Sequence, residues 1–353
     1  MNKLHYFAGI MYLCKSMKVI RFIIAVLLLS VCVSCSEKPF RCSAPAFLSP
    51  GDKIALISPS YNMPVESVDS VAAVIRSWGF EPVLGQSVEK LYLGHYAGTD
   101  EERLEDLRRA LRDTSIKAII CNRGGYGSIH LVDLMTPEDF TAQPKWLVGY
   151  SDITTISGME ACAGVMSIHG AMGCSMLKNL GQDASCTLMR DLLLGNIPQY
   201  SVAPNPWDIP GEASGVLVGG NLSTFSPILG TWADPTAREG FILFIEEVEE
   251  DMTHIDRMIN TLVCNGVFDR CKGVILGEFT DCGANLDYEC VEQMICSYLD
   301  DYGIPVCCGF PAGHGDVNMP LVMGARVNLK VSESGSRISF DVDGITNKEY
   351  DAD

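Results

Sequence analysis

Positive charge is scarce in this sequence: 26 Lys and Arg stand against 44 Asp and Glu, a formal net charge of -18. No basic run offsets that deficit, which excludes nucleic acid as an expected partner. Several chemistries lack their signatures as well. No G-K-[ST] follows Gly124, Gly125 and Gly127, so there is no Walker loop, and Gly125-Tyr126-Gly127 lacks the third glycine of a dinucleotide fingerprint. H-E-x-x-H is missing, no Cys/His cluster has zinc spacing, and the acidic clusters lack the spacing of a calcium loop. The absence of G-x-S-x-G argues against an ordinary α/β-hydrolase. What remains is a hydrolase expected to use no cofactor and no metal.

The chain has 353 residues, enough for two domains of ordinary size, and its 47% hydrophobic and 20% charged content is that of a globular protein. Of its 15 cysteines, Cys32 and Cys35 form the one C-x-x-C pair, inside an N-terminal apolar segment. Cys121, Cys162 and Cys264 lie in apolar runs and are expected to be small buried core residues. The neighbours Cys307 and Cys308 cannot easily bridge to each other; one or two disulfides elsewhere are compatible with export.

Residues 1–35 read as a lipoprotein-type signal. Lys15, Lys18 and Arg21 precede an apolar run at 22–29, and the segment closes on Val31-Cys32-Val33-Ser34-Cys35, which resembles a bacterial lipobox with Cys35 as the lipidated residue. Cys32 stands where such boxes carry Leu or Val, and Met17 is an alternative start. An uncleaved membrane anchor is the competing reading, although the run is short for a span. Residues 36–49 then form a tether. The expected location is the periplasm-facing side of a bacterial membrane, the outer membrane by preference.

From Pro50 apolar runs alternate with amphipathic stretches, the pattern of an α/β unit. Strands are expected at 53–57, 80–84, 116–121 and 146–150, with helices between them, one of them capped by Asp100. The prolines 204, 206 and 210 mark a linker over 182–211 between an N-terminal domain at 50–181 and a C-terminal domain at 212–345. The second domain brings strands at 241–245, 274–276 and 305–309, a helix at 286–302, and an antiparallel pair within 321–342.

The stretch 116–131, IKAIICNRGGYGSIHL, describes a buried strand, a glycine turn and a helix start. Ser128 at that junction is either an N-cap or a nucleophile with amide groups beside it for an oxyanion. Ser151 or Asp152 caps the helix after the strand at 146–150, on the same edge of the sheet. Of six histidines only His314 lies between two glycines in a loop after a strand. Glu246, first of the acidic cluster after residues 241–245, offers the carboxylate that would orient it, unless that cluster is simply a solvated loop.

Seven segments together resemble the serine LD-carboxypeptidase family, the muramoyltetrapeptide carboxypeptidases, which also includes the microcin C self-immunity hydrolases. They are AGTDEERLEDL from Ala97, NRGGYGS from Asn122, GYSDIT from Gly149, SIHGAM from Ser167, LVGGNLS from Leu217, FILFIEE from Phe241 and GFPAGHG from Gly309. The resemblance implies a flavodoxin-like or Rossmann-like N-terminal domain, a mixed-sheet α/β C-terminal domain and a site between them. It implies Ser128 as nucleophile, His314 as base and Glu246 as its carboxylate, with Glu247 as runner-up. Gly125 and Ile129 are assigned to the oxyanion hole, and Tyr126, Asp152 and Asn221 to substrate binding. The implied substrate is murein tetrapeptide, cut through an acyl-enzyme to release D-Ala. An immunity-type hydrolase of peptidyl or aminoacyl nucleotides and a non-catalytic muropeptide-binding lipoprotein are the alternatives; a homodimer is left open.

Overall fold

The structure, a computed structural model, describes residues 40–283 and 286–342 and the backbone of 348–351. The signal, with Cys35 and residues 36–39 of the tether, lies outside the described residues. In chain order the strands are β1 (Lys53–Ile57), β2 (Glu81–Leu84), β3 (Ile116–Cys121), β4 (Trp146–Val148), β5 (Ser167–His169), β6 (Pro198–Val202) and β7 (Gly211–Asn221). There follow β8 (Phe241–Val248), β9 (Cys271–Thr280), β10 (Val306–Cys307), β11 (Leu321–Met323), β12 (Arg326–Ser332), β13 (Gly335–Asp341) and β14 (Lys348–Asp351). Helices α1 (Val65–Ser77), α2 (Asp100–Arg112) and α3 (Thr154–Ala163) join the early strands.

The first sheet has the order β11-β5-β4-β3-β1-β2, parallel except for β11, which runs antiparallel to β5. Its five parallel strands thus follow the flavodoxin-like order 2-1-3-4-5. Side-chain alternation explains why both faces are covered. Ile54 and Leu56 of β1 face one core with Val71 and Ile75 of α1, whereas Ala55 and Ile57 face the other with Leu104, Leu107 and Leu111 of α2. Each such side chain buried from water contributes about 2 kcal/mol. Thr99, not Asp100, caps α2: its hydroxyl accepts the Glu102 N–H and the Glu102 carboxylate accepts the Thr99 N–H, while Asp100 is the first helical residue.

The second sheet, β10-β9-β8-β7-β12-β13-β6-β14, mixes parallel and antiparallel pairs. The stretch 182–211, read as a linker, contains the helix Ala184–Leu193 and strand β6. Its alternating Pro198, Tyr200 and Val202 are buried, and β6 pairs with β13, so the prolines at 204–210 turn the chain between two strands of one sheet. The stretch 321–342 also divides: β12 and β13 are the expected hairpin, whereas β11 joins the first sheet. Cys121 is buried, but Cys162 is only partly so, and Cys264, in the last turn of the helix Met252–Cys264, is exposed. An apolar run on an amphipathic helix still places some of its members toward water.

Candidate active site

Strand β3 delivers the glycine turn at the carboxyl edge of the first sheet. Gly127 holds φ at 128°, and a Cβ there would lie 2.9 Å from Nη1 of Arg103 and 3.1 Å from the Tyr96 ring, so only glycine fits. Arg103, buried on α2, donates to the carbonyls of Pro59 and Gly127 and to Asp100, which clamps the turn from behind. Ser128 heads a helix, as the sequence indicated, of the 3-10 type over Ser128–Leu134, and it is fully buried.

Its N–H donates to Oδ2 of Asp152 at 2.8 Å, and its hydroxyl lies 2.9 Å from that of Ser60, which in turn donates to the same Oδ2 at 2.6 Å. Asp152 reaches this position because Ser151, at φ 61°, turns the chain through the left-handed region just past β4. The Asp152 carboxylate therefore serves the Ser128 turn; α3, which it was expected to cap, has no side-chain cap. With the Ser128 amide engaged, the N–H groups of Gly125, Tyr126 and Ile129 make no hydrogen bond among the described residues. Two of these three are the amides assigned to an oxyanion.

The second sheet supplies an imidazole and a carboxylate. Oε2 of Glu246, on β8, lies 2.7 Å from Nδ1 of His314, in the loop between β10 and β11. Gly313, at φ 138°, brings this loop so close that a Cβ would lie 2.8 Å from Oε2 of Glu246. Glu246 is fully buried, and its Oε1 has no hydrogen-bond partner among the described residues. Burial raises its pKa, an effect partly offset by the hydrogen bond and charge of His314. For His314 burial acts downward, but the Glu246 hydrogen bond and the charges of Glu246, Glu247 and Glu249 outweigh it, leaving the imidazole above its ordinary value. Nε2 of His314 makes no hydrogen bond among the described residues, and the ring sits 5.0 Å from that of Tyr150. His169, fully buried nearby, is held down to about 3 by burial and by His314, and stays neutral.

The structure thus joins Glu246 to His314 and joins Ser128 to Ser60 and Asp152. The hydroxyl of Ser128 is hydrogen-bonded to Ser60 and not to His314. Tyr126 is exposed, its ring 5.4 Å from His130. Asn221 is committed to the fold: its Nδ2 donates to Glu247, and its Oδ1 accepts from Ser223 and Thr224. Glu247 also accepts the Ser223 N–H and so faces away from His314. Three site residues escaped the sequence reading. Ser60 left a trace, since Ser58-Pro59-Ser60 ends a strand on the ligand-binding edge; Arg103 and Tyr150 left none beyond their charge and ring. Among the described residues, no group of three or more His, Cys, Asp or Glu could hold a metal ion.

Two family models match the chain. The LD-carboxypeptidase N-terminal domain covers residues 54–170, and the LD-carboxypeptidase C-terminal domain covers residues 214–329. A Synechocystis protein with a provisional carboxypeptidase name is 36% identical over 301 residues, 83% of this chain and 96% of that protein. The murein tetrapeptide carboxypeptidase of Pseudomonas aeruginosa is 29% identical over 290 residues, 79% of this chain and 93% of its own length. Among solved structures, an MccF-like protein from Bacillus anthracis superposes with a TM-score of 0.75 at 25% identity, covering 84% of this chain and 99% of that one. MccF itself is the microcin C7 self-immunity protein of Escherichia coli. With both family domains matched in order over most of its length, the chain belongs to the LD-carboxypeptidase family of S66 peptidases.

Proposed function

We propose that this protein is a serine LD-carboxypeptidase that releases the terminal D-Ala of murein tetrapeptide. The observation that carries the reading is the 2.7 Å contact between Glu246 and His314, which orients a histidine whose Nε2 remains open. In this reading neutral His314 takes the proton of Ser128 as Oγ attacks the carbonyl between the L-centre of the diamino acid and D-Ala. Glu246 stabilises the imidazolium. The unpartnered amides of Gly125 and Ile129 receive the oxyanion, a kind of group worth roughly 3 kcal/mol per donor. His314 then protonates the departing amine of D-Ala, and water attacks the acyl-enzyme by the same route.

A carboxypeptidase must also hold a terminal carboxylate. Arg123 opens the nucleophile turn, exposed and without an ion pair among the described residues, its guanidinium 5.8 Å from the Tyr61 ring. We assign it that task. The likeness of residues 31–35 to a lipobox supports a location at a membrane through a lipid on Cys35, facing the wall peptides it would trim. The likeness to MccF relatives keeps a second substrate class in view, a peptidyl or aminoacyl nucleotide.

The test is incubation of the chain from Ser36, wild type and Ser128→Ala, with murein tetrapeptide, read by mass for loss of one D-Ala. Release by wild type alone supports the reading. If the folded wild type releases nothing yet cleaves an aminoacyl sulfamoyl nucleotide, the second class replaces it; binding without cleavage of either would leave a muropeptide-binding protein.

A further inference from the structure

Ser60 lies just past β1, fully buried, and its hydroxyl is the hydrogen-bond partner of the Ser128 hydroxyl. Proton directions follow from chemistry. The Ser60 hydroxyl donates its one proton to Oδ2 of Asp152 at 2.6 Å, so at the 2.9 Å contact Ser60 accepts and Ser128 donates. The result is a buried chain, Ser128 O–H to Ser60 O–H to the Asp152 carboxylate. The same carboxylate oxygen holds the Ser128 N–H, so Asp152 fixes both the backbone and, through Ser60, the side chain of one residue. Among the described residues no group donates a hydrogen bond to the Ser128 oxygen.

We propose that Ser60 is a positioning residue for the nucleophile. Backed by Asp152, it selects one rotamer of Ser128 in the free enzyme and directs the hydroxyl proton inward, and the proton turns to His314 only when peptide occupies the site. Among the described residues nothing else bonds the Ser128 hydroxyl, so without Ser60 its Oγ is released among its staggered positions. The buried setting makes the chain stronger than its counterpart in water. This inference rests on Ser128 being the nucleophile.

The experiment uses the full chain, wild type, Ser60→Ala, Ser60→Thr, Asp152→Asn and the Ser60→Ala/Asp152→Asn double variant. For each, kcat and KM on murein tetrapeptide are measured together with the rate at which a fluorophosphonate labels Ser128, and folding is checked by thermal melting. Ser60→Ala is expected to lower kcat and the labelling rate together, by about 10- to 100-fold, the range for one lost hydrogen bond linked to a charge, with KM within about twofold. Ser60→Thr keeps the hydroxyl and restores both. The double variant falls no further than the worse single variant, because the two residues form one chain. A folded Ser60→Ala with kcat within about twofold of wild type overturns the proposal, as does full additivity in the double variant. If Ser60→Thr fails to fold, the additivity result decides alone. Wild-type turnover with Ser128 unlabelled, and retained by Ser128→Ala, would instead defeat the nucleophile assignment, and the role of Ser60 with it.

Discussion

Glu246 and Glu247 are consecutive on β8 yet serve opposite sides of the sheet: Glu246 binds Nδ1 of His314, and Glu247 binds Asn221 and Ser223. Strand alternation divides them, and it divides their expected phenotypes. Glu246→Gln is expected to lower kcat by roughly 1,000- to 10,000-fold, as when the carboxylate of a catalytic triad is neutralised, with little change in melting temperature. Glu247→Gln weakens the hold on the Ser223 amide and should cost about 1 to 3 kcal/mol of stability while kcat changes by less than about tenfold. Denaturant melts and steady-state kinetics on the two variants check the division; reversed phenotypes would transfer the carboxylate role to Glu247.

The pH profile follows from the raised pKa of His314. A general base works when neutral, so kcat/KM falls as pH drops through its pKa, and the acid limb is expected above the ordinary imidazole midpoint of about 6.5. Glu246→Gln removes the charge and the strong acceptor that raise it and leaves the burial that lowers it, so the residual activity should show its acid limb at lower pH. His169→Gln should leave the limb in place, because that ring is already neutral across this range.

Among the described residues Arg123 makes no ion pair, so replacing it breaks none there. Arg123→Gln is expected to raise KM for the tetrapeptide about 10-fold or more with melting unchanged, and to abolish discrimination against a peptide amidated at its C-terminus. Competition between free and amidated peptides measures this directly. Undiminished preference for the free acid would remove Arg123 from substrate recognition.

Glu160, on α3, is fully buried and neither carboxyl oxygen meets a well-aligned hydrogen-bond partner among the described residues; burial, only partly offset by nearby Ser167, drives its pKa well above the usual carboxylate range. The sign is fixed by linkage. Below about pH 4.3 the unfolded chain also holds this proton and there is no penalty; above it the unfolded state ionises while the folded state cannot, so stability falls as pH rises toward the folded pKa. Glu160→Gln is therefore expected to melt higher than wild type at neutral pH, with the difference shrinking near pH 4. Equal gains at both pH values would contradict this account.

The parts of this protein legible in the sequence are those set by local rules. Alternation and glycine punctuation gave β1, β3 and the Ser128 turn, and the ordered segments gave the family and its fold. Contacts made across the fold were not legible. The pairing of Ser60 with Ser128, the Arg103 clamp on the Gly127 carbonyl and the commitment of Asn221 to Glu247 depend on which strands lie side by side, and no local period encodes that. The stretch before the prolines at 204–210 was only partly legible: a linker and a turn between strands use the same residues, and the linker reading missed the helix Ala184–Leu193 and β6. Cys264 misled for a simpler reason: an apolar stretch on a helix does not say which way each side chain points.

Strand β11 carries a further consequence. The loop bearing His314 leaves the second sheet at β10 and ends on β11, at the edge of the first, so the imidazole rides on a tie moored at both ends. During synthesis the sheet that holds Ser128 stays one strand short until residue 323 has emerged, some 150 residues after β5. The nucleophile half therefore cannot be finished before the base has arrived, and a chain truncated ahead of Leu321 would have both an open sheet edge and an unmoored histidine. Completion of the sheet and arming of the site become a single event in the life of the chain.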